Sequence, residues 1–229
     1  MISKVSIALA LVGTVVVSAQ ATNDTCDTSL LNTTSSTYYV GTANKTIYDI
    51  AVEVNRGVCD IGRANLMVDV SVVPNIGQTF IIPGEVCTPD WTTCLVSSPG
   101  PNDCLMGGPR LYYTVNGDTL WKIASRLNMT LSSLSASISP SIGANDTLSA
   151  GQFVKVPLCY PSACDIEPFT FTGGVYKDLA EEYGSTVGQI MMLSPTYNYS
   201  SYELDGRSPP SISLAKNCRL LASNYTILS

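Results

Sequence analysis

Few residues in this sequence are suited to bond-breaking chemistry. There is no histidine among its 229 residues, so imidazole-dependent triads are excluded. Asp178, Glu181 and Glu182 stand close together, and a pair of carboxylates across a cleft is what glycoside hydrolysis usually needs. These three share one predicted helix, however, where clustered charge reads as a solvated face. The eight cysteines, Cys26, Cys59, Cys87, Cys94, Cys104, Cys159, Cys164 and Cys218, contain no Cys-x-x-Cys pair. Their even number reads as four disulfides rather than a metal or redox site. No cofactor or metal is expected. What remains is a turn, Gly117, Asp118, Thr119 and Leu120. Glycine allows close backbone approach and unusual dihedrals. Aspartate and threonine can fix a turn by local side-chain bonds. Such residues position groups rather than react.

The elements around this turn recur. Leu120, Ile123, Ala124 and Leu127 have i, i+3, i+4, i+7 spacing, which predicts one apolar face of a helix. Asp118 or Thr119 can cap it. Ile47, Ile50, Ala51 and Val54 repeat the frame, as do Tyr176, Leu179, Ala180 and Tyr183, with alanine always third. A second capped helix follows each: Thr130 with Leu131 and Leu134; Thr186 with Val187 and Ile190; Asp60 with Ile61 and Ala64. The segments "GQTFIIP" (77–83) and "GQFVKVP" (151–157) read as strands opened by Gly-Gln and closed by Pro. The third copy has only "SPPSISLA" there. The expected class is α+β, with three small βααβ units joined by short linkers and stapled by disulfides. Units this small bury little core and often need staples.

The predicted organisation is a signal peptide over 1–21, an N-terminal segment over 22–37, unit 1 over 38–87 and a Pro/Gly/Ser-rich linker over 88–110. Unit 2 covers 111–159, a second linker 160–167, a divergent unit 3 168–218 and a tail 219–229. Lys4, the apolar run from Val5 to Val17 and the small-x-small Ala19-Gln20-Ala21 carry the signal-peptide reading. Cysteines bracketing each unit suggest Cys104 with Cys159, Cys164 with Cys218, Cys26 with Cys87, and Cys59 with Cys94, one of many connectivities that eight cysteines allow. Asn23, Asn32, Asn44, Asn128, Asn145, Asn198 and Asn224 each open a glycosylation sequon. The net charge of −6 argues against nucleic acid and anionic membranes as partners.

The stretch "YYTVNGDTLWKIA…T…GQFVKVP" resembles the lysin motif, LysM, and its opening is highly specific. "YYVGTANKTIYDIA…GQTFIIP" is similar but has Asn44 and Lys45 in place of Gly-Asp. "FTFTGGVYKDLAEEYGSTVGQIMML" keeps the helix frame and has Gly173 and Gly174 in its turn. With a signal peptide and eight cysteines, the whole resembles the fungal secreted LysM effectors. That resemblance implies a non-enzymatic, extracellular protein of the apoplast or fungal wall. It implies binding of chitin oligomers, hiding fragments from host immune receptors or shielding hyphae from chitinases. Whether ligand drives dimers is left open.

Chitin is neutral and offers acetamide groups, hydroxyls and acetyl methyls. A binder needs backbone donors and acceptors, small residues and a few apolar contacts. In unit 2 the resemblance places ligand between Gly117, Asp118, Thr119 and Leu120 and a loop containing Ser139, Pro140, Ser141, Ile142 and Gly143. In unit 1 it places ligand between Asn44, Lys45, Thr46 and Ile47 and the segment Asp69, Val70, Ser71 and Val72. In unit 3 it pairs Gly173, Gly174, Val175 and Tyr176 with Pro195, Thr196 and Tyr197. Tyr197 and Tyr199 either stack on sugar or pack against Tyr202 or Tyr183. Trp121 falls off the apolar helix face and is expected at a solvent-side rim; Trp91 lies in the linker with no assigned role. A structural wall protein and a peptidoglycan binder are the competing readings.

Overall fold

The computed structural model describes residues 35–136, 138, 141–194 and 211–229. Within them one element order occurs three times. Unit 1 runs β1 (Ser36–Tyr39), α1 (Ile47–Glu53), α2 (Val58–Ala64) and β2 (Thr79–Ile82). After the short strand β3 (Leu105–Met106), unit 2 runs β4 (Leu111–Tyr113), α3 (Leu120–Arg126), α4 (Leu131–Ser135) and β5 (Phe153–Lys155). Unit 3 runs β7 (Ser162–Thr170), α5 (Tyr176–Tyr183), α6 (Val187–Leu193) and β8 (Ser211–Leu220). Each unit pairs its first and last strands antiparallel. The expected signal peptide, Cys26, Asn23, Asn32 and Asn198 lie outside the described residues, as do Tyr199 and Tyr202.

The apolar frame packs as its spacing predicts. Ile47, Ile50, Ala51, Leu120, Ile123, Ala124, Tyr176, Leu179 and Ala180 are all buried. Alanine at the third position keeps each first helix close to the rest of its unit's core. Threonine begins four helices: Thr46, Thr119, Thr130 and Thr186 each accept a backbone N–H three residues on. Asp49 and Gln189 close the reciprocal half of the box in α1 and α6. The Gly-Gln openings have a backbone cause. Gly77 and Gly151 sit at φ +89° and +86°, where L side chains are strained. Their N–H groups donate to Val40 and Thr114 carbonyls, 2.9 Å each, turning the chain into β2 and β5.

The linkers and tail differ from expectation. β3 (Leu105–Met106) lies parallel to β6 (Leu158–Tyr160), and β9 (Thr226–Leu228) pairs antiparallel with β6. This small sheet joins the segment expected as a linker over 88–110 to the exit of unit 2 and to the tail. β7 starts at Ser162, so most of the expected 160–167 linker is strand. Two- and three-residue strands are too short to show an alternating pattern, which is why sequence periodicity missed them. Disulfides join Cys59 to Cys94, Cys104 to Cys159 and Cys164 to Cys218. Cys87 is also disulfide-bonded.

The units share packing rather than hanging from one another. A Cβ on Gly188 of α6 would stand 2.4 Å from Leu127 Cδ2, so only glycine lets unit 3 close on the end of α3. Arg63 of α2 reaches Asp178 of α5 at 2.9 Å and Asp90 of the connecting segment at 2.7 Å. Asp90 also accepts from the Thr92 and Thr93 backbone, and its carbonyl takes the Cys59 N–H.

Candidate functional site

Unit 2 carries a groove. Leu120 of α3, Leu131, Ser132 and Ser135 of α4, Ala136 and Ile138 just after it, and Ile142 and Ala144 of the following loop line it. Its volume is about 570 Å³. The wall loop is held in place by the Trp121 N–H on the Ala144 carbonyl at 2.9 Å and the Gly143 N–H on Asp146 Oδ2 at 2.7 Å. Small side chains, hydroxyls and aliphatic surface suit a neutral, partly apolar ligand rather than an ion. Of the expected ligand residues here, Leu120 and Ile142 line this groove. Ser141 and Gly143 stand beside it in the wall loop; Ser139 and Pro140 lie outside the described residues.

The opening turn is spent differently. Gly117 adopts φ +83°, and a Cβ there would meet Val73 Cγ2 of unit 1 at 2.6 Å. Val73 N–H donates to the Asn116 carbonyl at 3.2 Å, and Asn116 Nδ2 donates to the Val73 carbonyl at 3.3 Å. The close approach that glycine permits is therefore made to the neighbouring unit. Asp118 is wholly buried. It accepts the Val115 N–H at 2.9 Å and pairs with Arg126. Thr119 is the cap of α3. Gly117, Asp118 and Thr119 thus shape the turn and the junction with unit 1.

Arg126 is the centre of that junction, only 1 % exposed. Its Nε donates to Asp69 Oδ2 at 2.6 Å, its Nη1 to Tyr112 Oη at 2.7 Å, and its Nη2 to Ser71 Oγ at 3.1 Å. Asp69 and Val70 are buried and Ser71 and Val72 half-buried, and Asp69 and Ser71 also line a crevice between units 1 and 2. Burial pushes the Asp69 carboxyl up, but Arg126 and the Ser71 N–H outweigh it and hold the group below the ordinary carboxylate range. Arg126 is correspondingly held in its charged form. Lys122 donates to the Gly117 carbonyl at 2.8 Å and the Ser71 carbonyl at 3.2 Å. Burial, and then Arg126, push its ammonium down.

In unit 1, Asn44 adopts φ +60° at an exposed turn; Lys45 pairs with Glu53 at 2.7 Å; Thr46 caps α1; Ile47 is core. In unit 3, Gly173 is open and Gly174 sits at φ +91°. Val175 and Tyr176 are buried, and the Tyr176 N–H donates to the Met67 carbonyl of unit 1 at 3.2 Å. The buried Ile47, Val175 and Tyr176 are therefore packing residues. Pro195, Thr196 and Tyr197 lie outside the described residues, so the far wall of that unit is not in view. The sequons Asn44, Asn128, Asn145 and Asn224 are exposed. The groove residues of α4 escaped the sequence reading. Their small side chains on a helix were the available signal.

The LysM domain family model matches residues 112–157, the span that contains this groove. A secreted LysM effector of Penicillium expansum, LysM13, is 42% identical over 210 residues, covering 90% of this chain and 89% of that protein. The secreted LysM effector ECP6 of Passalora fulva is 32% identical over 184 residues, 78% of this chain and 80% of that protein. The secreted LysM effector ELP2 of Colletotrichum higginsianum is 35% identical over 117 residues, 51% of this chain and 64% of its own. With the repeated βααβ architecture and the groove of unit 2, these similarities place the chain in the family of secreted LysM effectors.

Proposed function

We propose that this is an extracellular, non-enzymatic protein that binds chitin oligosaccharides, and that all three βααβ units are LysM units. The observation that carries the reading is the unit 2 groove, about 570 Å³, lined by Leu120, α4 and Ile142. Its mixture of small hydroxyl and aliphatic side chains suits the acetyl methyl, amide and hydroxyls of N-acetylglucosamine. It offers no charged side chain among its described lining residues to repel a neutral polymer.

Relatives named as secreted effectors favour a role facing a host, in the apoplast or at the fungal wall. There the protein would sequester chitin fragments from host receptors or shield hyphae from chitinases. Units 1 and 3 hold candidate turns at Asn44 and Lys45 and at Gly173 and Gly174. Two units engaging one polymer would raise avidity on the order of 100-fold over one.

The test is a pull-down of the oxidised, glycosylated protein on chitin, cellulose and peptidoglycan, then calorimetric titration with chitin hexamer. We expect retention on chitin alone, and at least a tenfold loss of affinity in Ile142→Arg with its melting temperature unchanged. Absence of chitin binding by the folded protein, or retention equally by peptidoglycan, would overturn the reading. One oligomer per unit at equal, independent sites would remove the avidity.

A further inference from the structure

A second cavity lies between units 1 and 2, outside the groove. It measures about 220 Å³ and is lined by Tyr48, Asp69 and Ser71 of unit 1, Trp121, Lys122 and Ser125 of α3, and Leu95 and Val96 of the connecting segment. Counted at roughly 30 Å³ per water, it has room for one sugar ring rather than a stretch of chain.

The two aromatics occupy equivalent positions. Each directly follows the first core residue of its helix, Ile47 or Leu120. The third unit has Lys177 at that place. Tyr48 and Trp121 are 38 % and 39 % exposed, so each ring keeps accessible surface at the crevice. Equivalent faces of two units thus converge on one space, as local packing within a unit would not require. Rings with one dry and one wet side suit the apolar face of a pyranose.

The polar groups specify a neutral ligand. Lys122 carries three N–H donors. Two are accounted for by the Ser71 and Gly117 carbonyls, which leaves one for an acetamide or hydroxyl oxygen. Of the charged groups, Lys122 and Asp69 line the crevice and Arg126 and Asp118 lie behind it, and the four sum to zero. The walls are fixed by the buried Arg126–Asp69 pair and by the Cys59–Cys94 disulfide next to Leu95. The crevice is also continuous with the groove through the chain. Leu120 lines the groove, the next residue lines the crevice, and the Trp121 N–H holds Ala144 of the groove wall.

We propose that the crevice between units 1 and 2 is an additional carbohydrate subsite, which takes one acetamido-sugar ring of an oligomer already seated in the unit 2 groove. The proposal rests on the groove reading above and adds to it a dependence on length. A short oligomer fills the groove alone. A longer one reaches Tyr48 and Trp121.

The experiment titrates chitin trimer and octamer into the intact protein, Tyr48→Ala and Tyr48→Phe, with melting temperatures recorded for each. Tyr48→Ala should leave trimer affinity unchanged and weaken the octamer by about 3- to 10-fold, the range of a single aromatic contact. Tyr48→Phe should keep the octamer affinity, since the ring remains. Equal octamer affinities for the intact protein and Tyr48→Ala would overturn the subsite while leaving the groove intact. Failure of the intact protein to bind either oligomer would overturn both.

Discussion

Arg126 explains more of this molecule than any residue of the expected ligand set. One guanidinium lies between Asp118 of its own unit and Asp69 of the unit before. A buried charge is tolerated only when paired, and removing one partner of such a pair costs about 3–5 kcal/mol. Asp69→Asn should therefore lower stability strongly at pH 6. The folded carboxyl titrates below its unfolded value of roughly 3.9. Its contribution is fully present above that value and is lost as pH falls through the folded one. The gap in melting temperature between the intact protein and Asp69→Asn should hold from pH 7 to pH 5 and narrow toward pH 2. A gap that stays constant across that range would show that the charge is not what Asp69 contributes. The sequence showed Asp118 as a turn residue but could not show that Arg126 also pairs with Asp69, because those two are 57 positions apart.

Turns and threonine caps were the most legible elements, since their causes are local; the cap expected at Asp60 is not one, because α2 begins at Val58 after Gly57, which makes no side-chain cap bond. The helical faces, the threonine caps and the Gly-Gln strand openings all follow from dihedral preference and spacing within a few residues. Gly151 gives a direct check: at φ +86°, with Tyr113 Oη at 3.3 Å from a built Cβ, Gly151→Ala should cost about 1–2 kcal/mol. Urea unfolding would measure it, and a neutral result would mean that β5 tolerates another opening. Less legible was the use of each element. The Gly117 turn carries the residues of a ligand turn and also packs against Val73. Repeats that look alike locally differ in which neighbour they meet, and that choice lies in pairings distant in sequence. The very short strands β3, β6 and β9 were hidden for the same reason: only their partners make them strands.

As a whole, the described chain is not a string of beads. Unit 2 packs Tyr112 near Met191 of unit 3, with the hydroxyl 3.6 Å from sulfur, while Arg126 reaches unit 1. Unit 1 meets unit 3 through Arg63 and Asp178. Shared contacts of this kind couple unfolding, so calorimetry should show one transition whose calorimetric and van't Hoff enthalpies agree. Three separable transitions would instead describe units that fold alone. A body built this way holds the groove of unit 2 and the crevice beside it in fixed relation.

The disulfides have a further consequence, for digestion. A cut in the backbone between Cys59 and Cys94, between Cys104 and Cys159, or between Cys164 and Cys218 falls inside a closed covalent loop. Neither fragment can diffuse away from such a nick. Two short stretches between these loops stay open to severance, 95–103 and 160–163. The first is pinned by the Asn102 carbonyl on the Thr130 N–H at 2.8 Å, and the second lies largely in β6 and β7. A protein surrounded by proteases would thus survive most single clips within its described residues as one molecule, its groove and crevice still assembled.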